Sequence, residues 1–243
     1  MITDYIEPKT ANVYGIYGHL GGGKSLTAVE ISLWALRRGW SVTSNIQLFN
    51  INRFASQFHF VENFDQVDFW SLPCGAPRGS NDSFRSVIII DECAEFFDQY
   101  SSTNPIVKNF LSWLRHSSKR GQFVFLIVQQ PEFIAKSLRL LCNKWIVCWD
   151  MEQYKLPFFR FRVPFTRHLV SRRIFDKWGN LISRGANFAD KHIIGQYYST
   201  SQSVALAGRN SDYKGIPKIY KPDHFLFFLL AIIIWQIFLR IYQ

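Results

Sequence analysis

Short apolar runs alternate with stretches of helical spacing along the first 150 residues. Val13–Tyr17 predicts a strand, and Ser25–Arg38 predicts a helix closed by Gly39, where a helix C-terminus favours glycine. Val42–Ile46 predicts a second strand. Cys74–Asp82, rich in Gly, Pro, Ser, Asn and Asp, reads as a surface loop leading into the most apolar run, Val87–Ile90. Beyond it the spacing predicts a helix over Pro105–Arg120, a strand over Phe123–Val128, a helix over Glu132–Asn143 and a strand over Trp145–Trp149. Strands separated by helices point to βαβ units and a mainly parallel sheet.

The pattern changes after Leu156. Phe158–His168 interleaves aromatic and basic residues, which suits either single-stranded nucleic acid or an exposed edge over a membrane. His168–Ser183 predicts a hairpin turning at Lys177-Trp178-Gly179-Asn180. Phe225–Leu239 is an uncharged apolar run without amphipathic spacing. It is short beside the about 20 residues of an ordinary spanning helix, and it spans if His224 and Arg240 snorkel at its ends. Lys214, Lys218 and Lys221 precede it and only Arg240 follows, so the positive-inside rule places the N-terminal part in the cytoplasm.

Composition narrows this picture. A chain of 243 residues accommodates one α/β domain with an appendage, and 48% hydrophobic with 17% aromatic residues supplies a core and excludes general disorder. The net charge of +10 favours anionic partners: phosphates, nucleic acid or a lipid surface. Cys74, Cys93, Cys142 and Cys148 form no CxxC pair and read as reduced thiols; with acidic Asp4 and Glu7 ahead of any apolar run, a cytoplasmic location is expected for most of the chain.

The candidate chemistry lies at the ends of the predicted strands. Gly18-His19-Leu20-Gly21-Gly22-Gly23-Lys24-Ser25 matches the Walker A pattern GxxxxGK[ST] between a predicted strand and a predicted helix. Its glycines and the helix start, through Leu26, expose backbone N–H groups to the phosphates of ATP; Lys24 is expected on the β- and γ-phosphates and the Ser25 hydroxyl on Mg²⁺. Ser86–Ile90 followed by Asp91-Glu92 has the form of a Walker B strand. Asp91 is expected to serve Mg²⁺ and Glu92 to orient or deprotonate the attacking water, which separates a hydrolase from a passive binder. Gln129 ends a strand where an amide can sense the γ-phosphate, with Gln130 as a weaker candidate. Lys119, Arg120 and Arg139 are candidates for the cation that phosphoryl transfer needs, often supplied by a neighbouring subunit.

The segments VYGIYGHLGGGKSL (13–26), VTSNIQL (42–48), VIIIDECAEFF (87–97), FLSWLRHSSKRGQFVFLIVQQPEFIAKSLR (110–139) and the LPF step at 156–158 together resemble the Zot-like assembly ATPases of filamentous phages, the gene I protein type within the FtsK/HerA-like P-loop class. A weaker echo is IIGQYYST (193–200). The resemblance implies an oligomeric, ring-forming ATPase of the host inner membrane that powers assembly and extrusion of a filamentous virion with the phage coat and assembly proteins, with phage DNA as a possible further contact. It carries functional positions onto Lys24, Ser25, Asp91, Glu92, Gln129 and Arg139. Family members typically continue into a periplasmic region after the membrane segment; with Gln243 last here, docking to an outer-membrane channel is expected to fall to another protein or to be unnecessary.

The fold expected is an α/β, RecA-like P-loop NTPase with Walker A and Walker B on adjacent strands, a small β-rich extension and a C-terminal transmembrane helix. The expected boundaries are 1–157 for the ATPase domain, 158–223 for the extension and 224–243 for the membrane helix and tail. Two other readings stay open: a motor packaging DNA into a capsid, and a nucleotide-gated scaffold that scarcely turns over ATP.

Overall fold

Runs such as Val87–Ile90 are apolar at every position, so both faces of the strand must be covered. The computed structural model describes residues 6, 12–77, 84–98, 104–151, 169–183 and 187–198, all within the unit Met1–Thr200. In chain order these form β1 (Val13–Tyr17), α1 (Lys24–Arg37), β2 (Ser41–Ser44), β3 (Phe58–Phe60), β4 (Ser86–Ile90), α2 (Cys93–Phe96), α3 (Pro105–His116), β5 (Gln122–Val128), α4 (Lys136–Leu141), β6 (Lys144–Asp150), β7 (Leu169–Asp176), β8 (Asn187–Asp190) and α5 (Lys191–Gly195). The strands make one eight-stranded sheet in the order β3-β2-β4-β5-β1-β6-β7-β8. β1 to β6 pair in parallel; β7 is antiparallel to β6, and β8 to β7.

The expectation that Walker A and Walker B lie on adjacent strands is corrected by this order. β5 stands between β1 and β4, pairing with both. The insertion brings Gln129, which follows β5, between the loop after β1 and the acids after β4.

Side chains alternate across the sheet. Val87 and Ile89 join Phe123, Phe125, Tyr14 and Ile16 in a core against α1. Ile88 and Ile90 are equally buried but outside that cluster, as expected for the opposite face. An aromatic stack of Phe69, Phe97, Phe110 and Trp113 is also fully buried, with Phe97 and Phe110 rings 4.0 Å apart.

Several helix limits differ from the sequence reading for reasons visible in the structure. α1 closes as expected: Gly39 takes φ 77°, and the N–H groups of Arg38 and Gly39 donate to Ala35 and Leu36. α3 begins at an Asn104 cap, whose Oδ1 accepts from the Ile106 N–H at 2.9 Å, but stops at His116. There the Ser117 hydroxyl donates to the Leu114 carbonyl and residues 117–121 turn into β5. The predicted helix over Glu132–Asn143 shrinks to α4. Ile134 is extended and bridges Asp98, while the Ala135 N–H donates to the Phe97 carbonyl, so helix cannot run through. β3 and α2 had no clear sequence signal, being 3 and 4 residues long.

The expected hairpin turns at 177–180, where Asp176 Oδ1 accepts from the N–H groups of Trp178 and Asn180. Its return is a single bridge, Phe175 to Leu181, and the longer pairing of β7 is with β8. Residues 169–176 and 187–190, which lie within the expected extension 158–223, continue the same sheet. Phe158–His168 and the apolar segment 224–243 lie outside the described residues. Among the described residues no helix is long and apolar enough to cross a membrane.

Candidate functional site

The loop Gly18–Lys24 joins β1 to α1 at the carboxyl edge of the parallel strands, where α/β folds of this kind place their ligands. Two glycines are required by contact. Gly18 lies so close to β6 that a Cβ would run into the Cys148 carbonyl oxygen, and Gly23, at φ 88°, faces the Val170 side chain of β7. The loop is thus wedged between β1, β6 and β7. Leu26 turns its side chain into the core, leaving its backbone N–H for phosphate contact, whereas His19 and Leu20 are exposed. The first-turn N–H groups of α1 have no helical acceptor, so the loop offers a cradle of donors.

Lys24 is buried, and its Nζ donates to the carbonyl oxygens of Gly18 and His19 at 3.1 Å each. The ammonium is held over the loop by the chain's own acceptors. The Ser25 hydroxyl donates to Asp91 Oδ2 at 2.8 Å, joining the two Walker motifs directly. Asp91 Oδ1 accepts from the Glu92 N–H at 3.0 Å. Burial raises the Asp91 carboxyl above its ordinary value, against the Ser25 and Glu92 hydrogen bonds and the Lys24 charge.

Glu92 adopts φ 49° and ψ 44°, left-handed backbone that a non-glycine residue occupies at a cost of about 1 to 3 kcal/mol. Burial first, and then the Asp91 charge, raises its carboxyl; Lys24 and a hydrogen bond from Gln129 act the other way. Gln129 is therefore in contact with Glu92, as its place after β5 requires.

Sequence reasoning missed Asn45. Its Oδ1 accepts from the Asp91 N–H at 2.7 Å and its Nδ2 donates to the Asp91 carbonyl at 2.9 Å, so one side chain holds both backbone groups of the acid. The predicted strand over Val42–Ile46 concealed this, because β2 ends at Ser44 and frees Asn45 to turn. The signal was an asparagine following a strand that pairs in parallel with the Walker B strand. Asn45→Ala is expected to lower turnover about 10²-fold through misplacement of Asp91, and to cost about 2 kcal/mol. Steady-state kinetics and thermal melts of the same preparation check both.

The cation candidates do not converge here. Arg120 does not reach the cradle of its own subunit: it precedes β5, at the opposite edge of the sheet, and its guanidinium donates to the Trp70 and Leu72 carbonyls at 2.7 and 3.3 Å while lying over the Trp70 ring. It ties down a loop far from the phosphate cradle. Lys119 is exposed at the same edge. Arg139 is half-buried on α4, and among the described residues no hydrogen bond joins it to Lys24, Ser25, Asp91, Glu92 or Gln129.

A mainly parallel sheet with a glycine-rich loop at its carboxyl edge, a buried lysine opening the following helix and a serine bonded to a strand-end aspartate defines a P-loop NTPase. The chain belongs to the Zonular occludens toxin (Zot) family, whose model matches residues 12–202. It is similar to the Gene 1 protein of Enterobacteria phage I2-2, 26% identical over 154 residues, and to that of Enterobacteria phage f1, 26% identical over 156 residues. Each match covers 60% of this chain, but only 42% and 44% of those relatives' lengths. Among solved structures it resembles the N-terminal domain of zonular occludens toxin from Neisseria meningitidis, at 14% identity and TM-score 0.45, covering 78% of this chain and 100% of that one. It also resembles the genome packaging NTPase B204 of Sulfolobus turreted icosahedral virus 2, at 14% identity and TM-score 0.43, covering 76% and 98%.

Proposed function

We propose that this protein is an ATP hydrolase that powers assembly and extrusion of a filamentous phage virion through the host inner membrane. The observation that carries the hydrolase reading is Glu92. A protein that merely bound nucleotide would need Lys24 and the loop, but not a second acid held in left-handed backbone beside Asp91 and touched by Gln129. Membership of the Zot family, together with the phage relatives, supports the extrusion reading.

The donor set fits Mg²⁺. Ser25 Oγ and Asp91 Oδ2 are hard oxygens already in contact, and a buried carboxylate whose ionised form is disfavoured regains that energy beside a cation. When bound, Mg²⁺ would supply charge neutralisation at the β- and γ-phosphates. Lys24 exchanges its loop carbonyls for phosphate oxygens. Glu92, ionised, takes a proton from water as the water oxygen bonds to the γ-phosphorus and the bond to the β–γ bridging oxygen breaks; Gln129 holds Glu92 and the water in line. Among the described residues, Lys24 is the cation that acts on both acids. A further positive charge would come from a neighbouring subunit, with Arg139 as its proposed source, which is the reason to expect a homo-oligomeric ring.

Residues 224–243 are proposed as the membrane anchor, with the ATPase domain on the cytoplasmic face and the basic stretch before it meeting lipid headgroups. Phage coat and assembly proteins are the proposed partners, and Phe158–His168 the proposed contact for lipid or DNA. Lys24→Ala in the producing virus tests the whole reading by electron microscopy and fractionation. Coat protein arrested in the membrane with naked genome and no capsids is expected; accumulation of empty capsids would make this a packaging motor instead.

A further inference from the structure

Three tryptophans at one end of the sheet each carry a cation over the ring. The Arg38 guanidinium lies 4.7 Å from the Trp34 centroid, that of Arg120 lies 5.6 Å from Trp70, and the Lys177 ammonium lies 4.3 Å from Trp178. Strand register brings them to a common edge. Ser41 opposes Ser86, Ser86 opposes Gln122, Tyr14 opposes Lys144, and Lys144 opposes Asp176. The residues just before β2 and β5 and just after β7 therefore share the edge opposite the phosphate loop. From β2 to β7 that edge crosses about 24 Å, at about 4.8 Å per strand.

The turn at 177–180 prolongs the edge, and Trp178 within it is 75% exposed, with Leu181 exposed beside it. Such exposure of an indole is costly in water unless something covers it. Arg37, Arg38, Lys119 and Lys177 are exposed at the same edge, as is Arg115 in the last turn of α3. Beside them stand two acids among the described residues, Asp68 and Asp176, and each is engaged by its own turn. Asp68 Oδ1 accepts from the Trp70 N–H at 3.0 Å, while both Asp176 oxygens accept from Trp178 and Asn180. Positive charge and tryptophan thus predominate here, and the hydrolytic scheme uses nothing at this end of the sheet.

We propose that this edge, from Trp34 and Arg38 past Trp70 and Arg120 to Lys177 and Trp178, is a docking surface for an anionic lipid bilayer. Its chemistry is that of the interfacial layer, where indoles lie at headgroup depth and basic side chains meet lipid phosphates. Single-stranded nucleic acid would need open indole faces for its bases, and one face of each of these rings already carries a cation. In a headgroup layer the same cation meets a phosphate while the indole lies against the acyl boundary. The choice of bilayer over nucleic acid also rests on the proposed anchor at 224–243. Docking in this way turns the phosphate loop, at the other edge, away from the lipid and leaves it open to nucleotide.

The test is amide hydrogen exchange of the full chain with bicelles of phosphatidylcholine, alone or mixed with phosphatidylglycerol. Phosphatidylglycerol is expected to slow exchange over 177–182 by roughly 5-fold or more, the effect of about one basic residue near an anionic surface. Exchange over Gly18–Leu26 should not change. The slowing should disappear in about 1 M salt, where charges are screened within about 3 Å, and in the double variant Arg38→Glu, Lys177→Glu. Lys177→Glu alone, a change confined to one exposed turn, should weaken it. No slowing in wild type, or equal slowing in the charge-reversed variants, overturns the proposal. Slowing by a single-stranded oligonucleotide with phosphatidylcholine alone would make this a nucleic-acid surface, and slowing that grows with protein concentration would make it a contact with a second copy; either overturns it too. Fast exchange over 225–239 in both bicelles would overturn the anchor reading, and the comparison at 177–182 would still decide the docking surface.

Discussion

Replacing Glu92 with Gln is expected to reduce ATP turnover about 10²- to 10⁴-fold, the range that removal of a positioned general base produces. Nucleotide binding should survive, because Lys24 and the loop are untouched and Gln preserves size and the backbone bonds around position 92. Turnover equal to wild type would sink the enzymatic reading and leave a nucleotide-gated scaffold. The pH behaviour carries a second expectation. The Glu92 carboxyl is raised in the folded protein, so the fold binds its proton more tightly than the unfolded chain does. Stability contributed in this way is present at low pH and is lost as pH rises from the ordinary glutamate value of about 4.3 through the raised one. Glu92→Gln is exempt from that loss. At neutral pH, without nucleotide, the variant should therefore melt higher than wild type, and the advantage should fade on acidification. The acid proposed to drive turnover is also one whose ionised form the fold holds at a cost.

What the sequence disclosed followed from how local each signal was. Gly18–Ser25 and Val87–Glu92 are contiguous, and a strand–loop–helix with a glycine-lysine-serine run has few other uses, so the cradle and both acids were legible. Gln129 was legible as the polar residue directly after an apolar strand, although the reason it reaches Glu92 is the insertion of β5 between β1 and β4, and strand order is not written in any one segment. Asn45 was hidden because its two bonds join residues 46 positions apart, and an asparagine after a strand looks like any turn residue. The partners of Arg120 were hidden for the same reason. A basic residue beside a motif-rich helix suggests chemistry, but its carbonyl partners at Trp70 and Leu72 come from a distant loop. The split of the helix over Glu132–Asn143 is likewise non-local, since Ile134 is pulled into an extended bridge by Asp98.

The largest stability effect is expected from Glu30, which no motif contains. β7 places Arg172 opposite Cys148 of β6, fully buried, where its guanidinium pairs with Glu30 on α1 and also donates to the Phe188 carbonyl at 3.0 Å. Glu30 keeps 21% side-chain exposure while Arg172 has none. The two halves of the pair are therefore unequal. Glu30→Gln strands a buried cation and should cost about 3 to 5 kcal/mol, a large part of an ordinary domain's stability. Arg172→Met leaves a carboxylate that still reaches water, and should cost less. Changing both to Met removes the two desolvation penalties together and should recover much of the loss. Denaturant melts of the full chain in micelles rank the variants. The pair also bears on the nucleotide, because Val170, two residues along β7, is the side chain against Gly23. If β7 holds the loop through α1, ATP affinity should fall with stability in Glu30→Gln and return in the double variant. Affinity that stays constant while stability falls would make β7 a support of the sheet alone, and the phosphate loop would then owe its shape to β1 and β6.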